Sequence, residues 1–380
     1  MIGISKLYMG QVEVSDPLRY GRHSAKLPSH LLQFSVDKKP VVVWNVTSAC
    51  NLACTHCYAA TQGTPDELNT GEALALIDDL AAFGCPVLLF SGGEPFIRPD
   101  ILDLARHAVG KGLRVVFSTN GTLIDAALAS QIQAIGVSYV GISIDGSEAT
   151  HDRFRVCPGA FRRSVAGIRA CREAGIKVGL RVTMTRDNIA DIPAIFDLME
   201  AERIPRICLY HLVYCGRGAG LASHDLAPEQ RRATLDLIIE RTARLHARRF
   251  PVEVLTVDNH CDGPYLYLRM QREENPRADE VMTLLRMNGG NSTGHGIGCV
   301  SWDGTVYPDQ FWRNKPVGNV RQTPFSRIWG EPAPDSLLAQ LRAKKQHVTG
   351  RCVTCRFLDV CGGNFRSRAE AATDDLWGVD

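Results

Sequence analysis

The sequence predicts an α/β protein built as a partial (β/α)6 barrel with a small C-terminal domain. Three observations predict it. Short β-branched runs alternate six times with segments of helical period between residues 41 and 248. The alternation then stops, and the chain from about residue 285 becomes rich in Gly, Asn and Trp. Finally, two groups of closely spaced cysteines stand out, one directly behind the first strand run and one near the C-terminus.

The first run is Val41-Val42-Val43-Trp44-Asn45-Val46, a buried strand. Helical spacing follows over 71–83, with Leu74, Ile77 and Leu80 on one face. The later strand runs are 87–90, 113–117, 139–144, 177–184 and 207–213, with helices over 100–110, 124–135, 161–174, 191–201 and about 228–248. The last helix has Pro228 at its start, where the missing N–H is harmless. Strict alternation implies parallel strands, right-handed crossovers and a site at the strands' carboxyl ends. The expected organisation is an N-terminal extension over 1–40, the barrel over 41–257, a connecting segment over 258–298 and a C-terminal domain over 299–380.

Composition narrows the function. The 380 residues are 45% hydrophobic and 22% charged, which excludes disorder. A net charge of +2 gives no reason to expect a nucleic acid. No apolar stretch is long enough to cross a membrane, and the first residues do not read as a signal peptide. A cytoplasmic location is expected. There, 13 cysteines point to metal or redox chemistry rather than to disulfides.

Cys50, Cys54 and Cys57 form C-x3-C-x2-C, trailed by Tyr58. Three thiolates on one loop can hold three corners of a cuboidal 4Fe–4S cluster and leave the fourth iron open. A structural zinc site would need a fourth ligand from elsewhere. Gly92-Gly93-Glu94-Pro95 follows the second strand, and its glycines allow close backbone approach. Asn120 follows the third strand, Ser143 the fourth, and Arg181 lies on the fifth. Asn120 and Ser143 suit a ribose or a carboxylate, or serve as ordinary turn residues. Arg181 suits a cofactor carboxylate or a structural ion pair.

This constellation resembles the radical S-adenosylmethionine superfamily. The resemblance implies that the open iron binds S-adenosylmethionine, that Glu94 and its loop hold the methionine ammonium, and that a deoxyadenosyl radical results. It places Tyr58, Gly92, Gly93, Glu94, Asn120, Ser143 and Arg181 in cofactor binding. Near the C-terminus, Cys352-x2-Cys355-x5-Cys361 resembles the SPASM or twitch domain that carries auxiliary 4Fe–4S clusters. Two family cysteines are missing, since Asp309 and Asn364 stand near their places. One auxiliary cluster is expected, hence two clusters in all. Its fourth ligand is open: Cys299, a residue beyond 380, or none, with an iron left to substrate. Cys85, Cys157, Cys171, Cys208, Cys215 and Cys261 read as core or incidental residues.

A narrower resemblance covers nearly the whole chain. Residues 27–34, Asp258-Asn259-His260, Asn288-Gly289-Gly290-Asn291, residues 298–304 and residues 361–366 look like the 12,18-didecarboxysiroheme deacetylases of the siroheme-dependent heme route. That family removes two acetate side chains to give iron-coproporphyrin III. A near relative in heme d1 synthesis removes propionates from the same substrate. A flat iron tetrapyrrole rich in carboxylates asks for apolar walls, cations and an axial ligand. The candidates are His211, Arg217, His295 and Arg313, with His295 as iron ligand or proton donor. A ferredoxin or flavodoxin is the expected electron donor. Two rivals remain: a radical enzyme that matures a peptide, and a zinc or iron–sulfur binding module without catalysis.

Overall fold

The computed structural model describes residues 1–11, 39–59 and 66–380. Residues 12–38 of the extension expected over 1–40, with the 27–34 motif, lie outside the described residues. One sheet organises the described chain. Its strands are β1 (Ile2–Gly3), β2 (Val41–Asn45), β3 (Val87–Ser91), β4 (Arg114–Thr119), β5 (Tyr139–Ser143), β6 (Val178–Met184), β7 (Arg206–His211), β8 (Glu253–Val257), β9 (Ile297–Val300), β10 (Thr305–Tyr307) and β11 (Gly318–Asn319). Their spatial order is β1-β8-β7-β6-β5-β4-β3-β2-β9-β10-β11.

Strands β2 to β8 run parallel in sequence order, and helices connect them. These are α2 (Thr70–Phe83), α3 (Ile101–Gly110), α4 (Ala126–Ile135), α6 (Ala160–Glu173), α7 (Ile192–Ala201) and α8 (Pro228–Ala247). Before them in the chain stands α1 (Ile4–Met9), and the short α5 (Glu148–Arg155) precedes α6. This is the partial (β/α) barrel, with the C-terminal iron–sulfur segment attached to its first strand. Local signals set the helix ends. Asn69 and Glu72 form a reciprocal capping box at the start of α2, and Gly84 ends it with φ +84°.

Two features differ from expectation. Residues 253–257 form a seventh parallel strand, β8, and Ile2–Gly3 pairs antiparallel with it. The apolar run in β8 is short and broken by Thr256, so its periodicity is weak. The sheet also runs through the division expected between residues 298 and 299, because β9 hydrogen-bonds in parallel with β2. Val300, Val306, Phe325 and Trp329 accordingly join the same core as Trp44, Phe90 and Phe117. The remaining helices are α9 (Asp262–Arg272), α10 (Ala278–Asn288), α11 (Phe325–Gly330), α12 (Leu337–Arg342), α13 (Leu358–Cys361) and α14 (Arg366–Thr373).

Candidate functional site

The cysteine loop leaves the carboxyl end of β2 and is held from several sides. Gly93 N–H donates to the Thr47 carbonyl at 2.8 Å, and Glu94 N–H donates to that of Ala49 at 2.8 Å. This approach needs glycine. A Cβ on Gly92 would stand 2.6 Å from the Thr47 oxygen at φ +134°, and one on Gly93 would collide with the Ala49 oxygen. Glu67 accepts from Ser48 N–H at 2.7 Å and from the Thr47 and Ser48 hydroxyls. Arg98 donates to the Val46 carbonyl at 2.9 Å. Thus the GGEP segment acts first on the backbone that leads into Cys50.

Beneath the loop lies a buried charge network. Arg155 donates to Cys54 Sγ at 3.4 Å and pairs with Asp145 at 2.6 Å. His56 Nε2 stands 3.8 Å from the same carboxylate. Burial raises the Asp145 carboxyl, but the Arg155 guanidinium, His56, His151 and the Thr183 N–H together outweigh this and hold it below the usual range. Cys54 is buried, Cys57 half-buried and Cys50 open to solvent on one side. Surrounding protein still pushes the Cys50 thiol up to about 11 and raises that of Cys57. Metal binding here must displace those protons, since the thiolate is the ligand.

Among the described residues, no three His, Cys, Asp or Glu side chains close around a single ion. A cuboidal cluster is larger than one ion and takes its thiolates from a wider ring. Three thiols on one braced loop, with Arg155 offsetting negative charge, fit such a cluster with one iron open.

The structure gives each expected cofactor residue a place. Glu94 is fully buried; it accepts from the Thr119 hydroxyl at 2.7 Å and from Asn120 N–H at 2.9 Å. Burial pushes its carboxyl up to about 7. Asn120 donates through Nδ2 to Asn51 Oδ1 at 2.8 Å, tying β4's end to the cysteine loop. The Tyr58 hydroxyl meets Asn45 Oδ1 at 3.1 Å and Ser91 Oγ at 3.0 Å. Ser143 and Arg181 are register partners on β5 and β6. Arg181 donates to the Tyr210 hydroxyl at 2.6 Å, and its Nε is buried without a partner.

The four expected catalytic residues separate. Arg217 braces the loop: its Nε donates to the Cys54 carbonyl at 2.7 Å and its backbone N–H to that of Cys57 at 2.9 Å. Arg313 lies over the Trp302 ring at 4.1 Å, donates to Ser301 Oγ at 3.1 Å and keeps a buried, unpartnered Nη1. His211 is buried, with Nε2 2.8 Å from Asp262, so it anchors α9 to β7. His295 is corrected. It is exposed, and its neighbour Gly296 bonds Val41 at the amino end of β2, away from the cysteine loop. The Gly-rich stretch that suggested a mobile ligand is a turn leading into β9.

Sequence reasoning missed Asp145, Arg155 and Asp258. The first two sit on or near an unforeseen helix, α5. Asp258 ends β8 in the left-handed region at φ +66°, is buried, and has an unpartnered Oδ2. Burial and the nearby Asp309 push its carboxyl up to about 8, although Arg368 and Arg181 oppose this. Its only sequence signal was the Asp-Asn-His motif after an unrecognised strand.

Cys352, Cys355 and Cys361 lie together, with Cys355 N–H donating to the Cys352 carbonyl at 3.2 Å and mutual charge coupling. Cys299 is corrected as their partner. Its strand pairs with β2, and its thiol, 1% exposed, accepts from Asn45 Nδ2 at 3.6 Å. That neighbourhood belongs to Tyr58 and Arg313, not to the C-terminal cysteines.

Fold and site define a radical S-adenosylmethionine protein with 4Fe–4S clusters. A family model described as the radical SAM superfamily matches residues 44–199, and one described as an iron–sulfur cluster-binding domain (SPASM) matches 295–356. The chain is 58% identical to the Fe-coproporphyrin III synthase of Methanosarcina barkeri, over 100% of this chain and 96% of that one. It is 40% identical to the pre-heme d1 synthase of Dinoroseobacter shibae, over 90% of this chain and 85% of that one. The chain belongs to the radical SAM family that contains these two synthases. Its fold matches that of Streptococcus suis SuiB, solved with its precursor peptide SuiA, with TM-score 0.71 at 15% identity over 90% of this chain and 75% of that one. Among the described residues no helix is long and apolar enough to cross a membrane.

Proposed function

We propose that this chain is an Fe-coproporphyrin III synthase, removing the two acetate side chains of 12,18-didecarboxysiroheme. The observation that carries the reading is 58% identity along the entire chain, against 40% to the relative from the heme d1 route. When bound, the first cluster and S-adenosylmethionine supply a deoxyadenosyl radical that takes hydrogen from the substrate.

The chain's own residues bind, orient and exclude water. Cys50, Cys54 and Cys57 hold the first cluster on a loop that Arg98, Arg217 and Glu67 keep in place. Cys352, Cys355 and Cys361 serve the auxiliary cluster. Tyr58, Gly92, Gly93, Glu94, Asn120, Ser143 and Arg181 line the cofactor side of the mouth. The free Nη1 of Arg313 suits a substrate carboxylate, because a guanidinium pairs with carboxylates in its plane. Asp258 keeps its proton at neutral pH and donates it as a hydrogen bond to a substrate carboxylate. The working location is the reducing cytoplasm, with a ferredoxin or flavodoxin as donor.

The test is anaerobic incubation with reductant, S-adenosylmethionine and 12,18-didecarboxysiroheme, followed by product mass. Loss of two acetates is the expected result. Loss of two propionate-derived masses moves the chain to the heme d1 reaction, and no tetrapyrrole product overturns the reading.

A further inference from the structure

We propose that Leu123 and Val156, ringed by Arg153, Arg162 and Arg163, form the surface on which an acidic flavodoxin docks to feed the first cluster. This rests on the reading that such a carrier is the electron donor. One electron passes from the reduced flavin to the oxidised cluster, and no further reactant is needed. Among the described residues only four large hydrophobic side chains stand exposed, and two of them flank the cysteine loop, Leu123 at 40% and Val156 at 56%. Scattered apolar residues on a surface are ordinary; two on turns bonded to one redox loop are not.

The outer edge of that loop is open. Asn51, Ala53 and Thr55 are exposed, while Leu52 and Cys54 between them are buried. Asn51 Nδ2 donates to the Thr122 hydroxyl at 2.8 Å, which sets Leu123 beside the neighbour of Cys50. Thr55 N–H donates to the Phe154 carbonyl at 2.9 Å and Arg155 donates to Cys54 Sγ, so Val156 follows a residue that touches a thiol. Helix α6, which starts shortly after Val156, packs on the turn before Leu123. Ser164 Oγ donates to the Asn120 carbonyl at 2.7 Å, and a Cβ on Gly167 would collide with the Gly121 carbonyl. The trailing end of the loop is covered instead: the Tyr58 ring packs on Phe311 at 5.1 Å, and Arg217 N–H donates to the Cys57 carbonyl. A carrier seated over the outer edge reaches the thiols through one or two residues and leaves the mouth at Tyr58 free.

Val156 also holds a backbone that its side chain opposes. It ends α5 in the left-handed region at φ +53°, where its N–H donates to the Arg153 carbonyl at 3.2 Å. Glycine or asparagine fills such a position with little strain, and a β-branched residue there is an outlier. The side chain faces solvent, so packing within the chain does not account for it. Strain kept at a solvent-facing position beside a redox loop is accounted for by a contact made with a partner.

The rim is cationic. Arg153, Arg162 and Arg163 are exposed on α5 and α6. Arg163 bonds the Cys157 thiol and the Pro158 carbonyl, and Arg153 bonds the Asp187 carbonyl, so neither donates to a carboxylate there. The nearby acids are engaged: Glu148 pairs with Arg162 at 2.7 Å, Asp152 accepts from Gly159 and Phe161 N–H, and Asp125 caps α4 at Leu128 N–H. A flavodoxin presents the apolar dimethyl edge of its flavin within an acidic surface, the complement of an apolar pair ringed by cations. Electron-transfer contacts are small and transient, and a patch of this size suits them.

The experiment takes the reconstituted full chain with a reduced flavodoxin, and with dithionite, a small reductant that needs no docking, as the parallel arm. Binding is read by titration at low and high salt, and reduction of the first cluster by freeze-quenched EPR. The triple variant Arg153→Glu, Arg162→Glu and Arg163→Glu should lower the flavodoxin rate by about 10-fold or more at low salt and abolish its fall with added salt. Val156→Gly relieves the backbone, so it should melt higher than the parent yet bind flavodoxin about 5-fold more weakly. Leu123→Ser should weaken binding in the same way. Val353→Ser, at the exposed valine beside Cys352, is the control and should match the parent. Dithionite should reduce every variant at the parent's rate. Variants that keep the parent's affinity and rate for flavodoxin overturn the surface, as does an equal loss with dithionite or a loss carried by Val353→Ser. A parent that dithionite reduces, and that flavodoxin neither binds nor reduces, overturns the donor reading itself.

Discussion

The two cysteine groups reach their geometry by opposite routes. Cys50, Cys54 and Cys57 sit on one loop whose backbone is bonded by Glu67, Gly93, Glu94, Arg98 and Arg217. These bonds from several elements fix the path of the loop. Cys352 and Cys355 share a short turn, and Cys361 ends the short helix α13. A centre that must leave one iron open takes all its ligands locally. The second group is instead pinned from outside its own segment, by Asn291 N–H on the Cys361 carbonyl and by Asn364 on the turn at His260. Charge follows the same contrast: one buried arginine touches the first group, while Lys344 and Arg366 flank the second.

The sharpest way to break this contrast is Cys54→Ala. Deoxyadenosine formation should fall to background, while metal content drops from about eight irons per chain to about four. Iron analysis beside product chromatography checks it. If both centres empty together, they are not independent, and the contrast fails.

Arg155→Met comes next. It leaves the Asp145 carboxylate buried without its partner, and such a loss costs about 3–5 kcal/mol. Thermal melts of the apoprotein should show the loss, and the first cluster should reconstitute poorly while the second is spared.

A smaller effect separates glycines that look alike in the sequence. Gly93→Ala must push the Ala49 carbonyl aside, for roughly 1–3 kcal/mol lost. Gly110→Ala, at the end of α3 with open space around it, should be neutral or gain up to about 1 kcal/mol. Paired denaturant titrations read both.

The last test reads the site through pH. The Asp258 carboxyl is raised from 3.8 to about 8 in the fold, so its protonated form stabilises the native state. That contribution is complete below about pH 4 and is lost as pH rises toward 8, with a limiting slope near ~1.4 kcal/mol per pH unit. Asp258→Asn should flatten stability across this window. An unchanged pH profile would place the carboxylate in a more polar setting than the one described.

Much of the barrel was legible because its parallel strands are buried on both faces and read as continuous apolar runs. Helices 70–83, 160–173 and 228–247 fall within a residue or so of expectation. Strand β8 was not legible, and neither was β9's place beside β2, since strand neighbours depend on hydrogen bonds between distant segments. In the site, the six paired-spacing cysteines and Gly93 announced themselves. Arg155 and Asp258 did not, because an arginine on a polar helix and an aspartate after a short strand look like surface residues until burial is known. Arg217 was singled out for substrate, but the fold gives it the loop backbone.

By itself, then, the sequence determined the chemistry of the first centre. Three thiolates within eight residues need no tertiary help to share one cluster. Tertiary structure decided what lies across from them and which remote groups join. It set Cys299 against β2, withdrew His295 to the amino end of β2 and brought Asn364 to the turn at His260. The physical reason is range. Local spacing constrains ligands a few residues apart, whereas a thiol or carboxylate a hundred residues away is placed only by the packing of the elements that carry it.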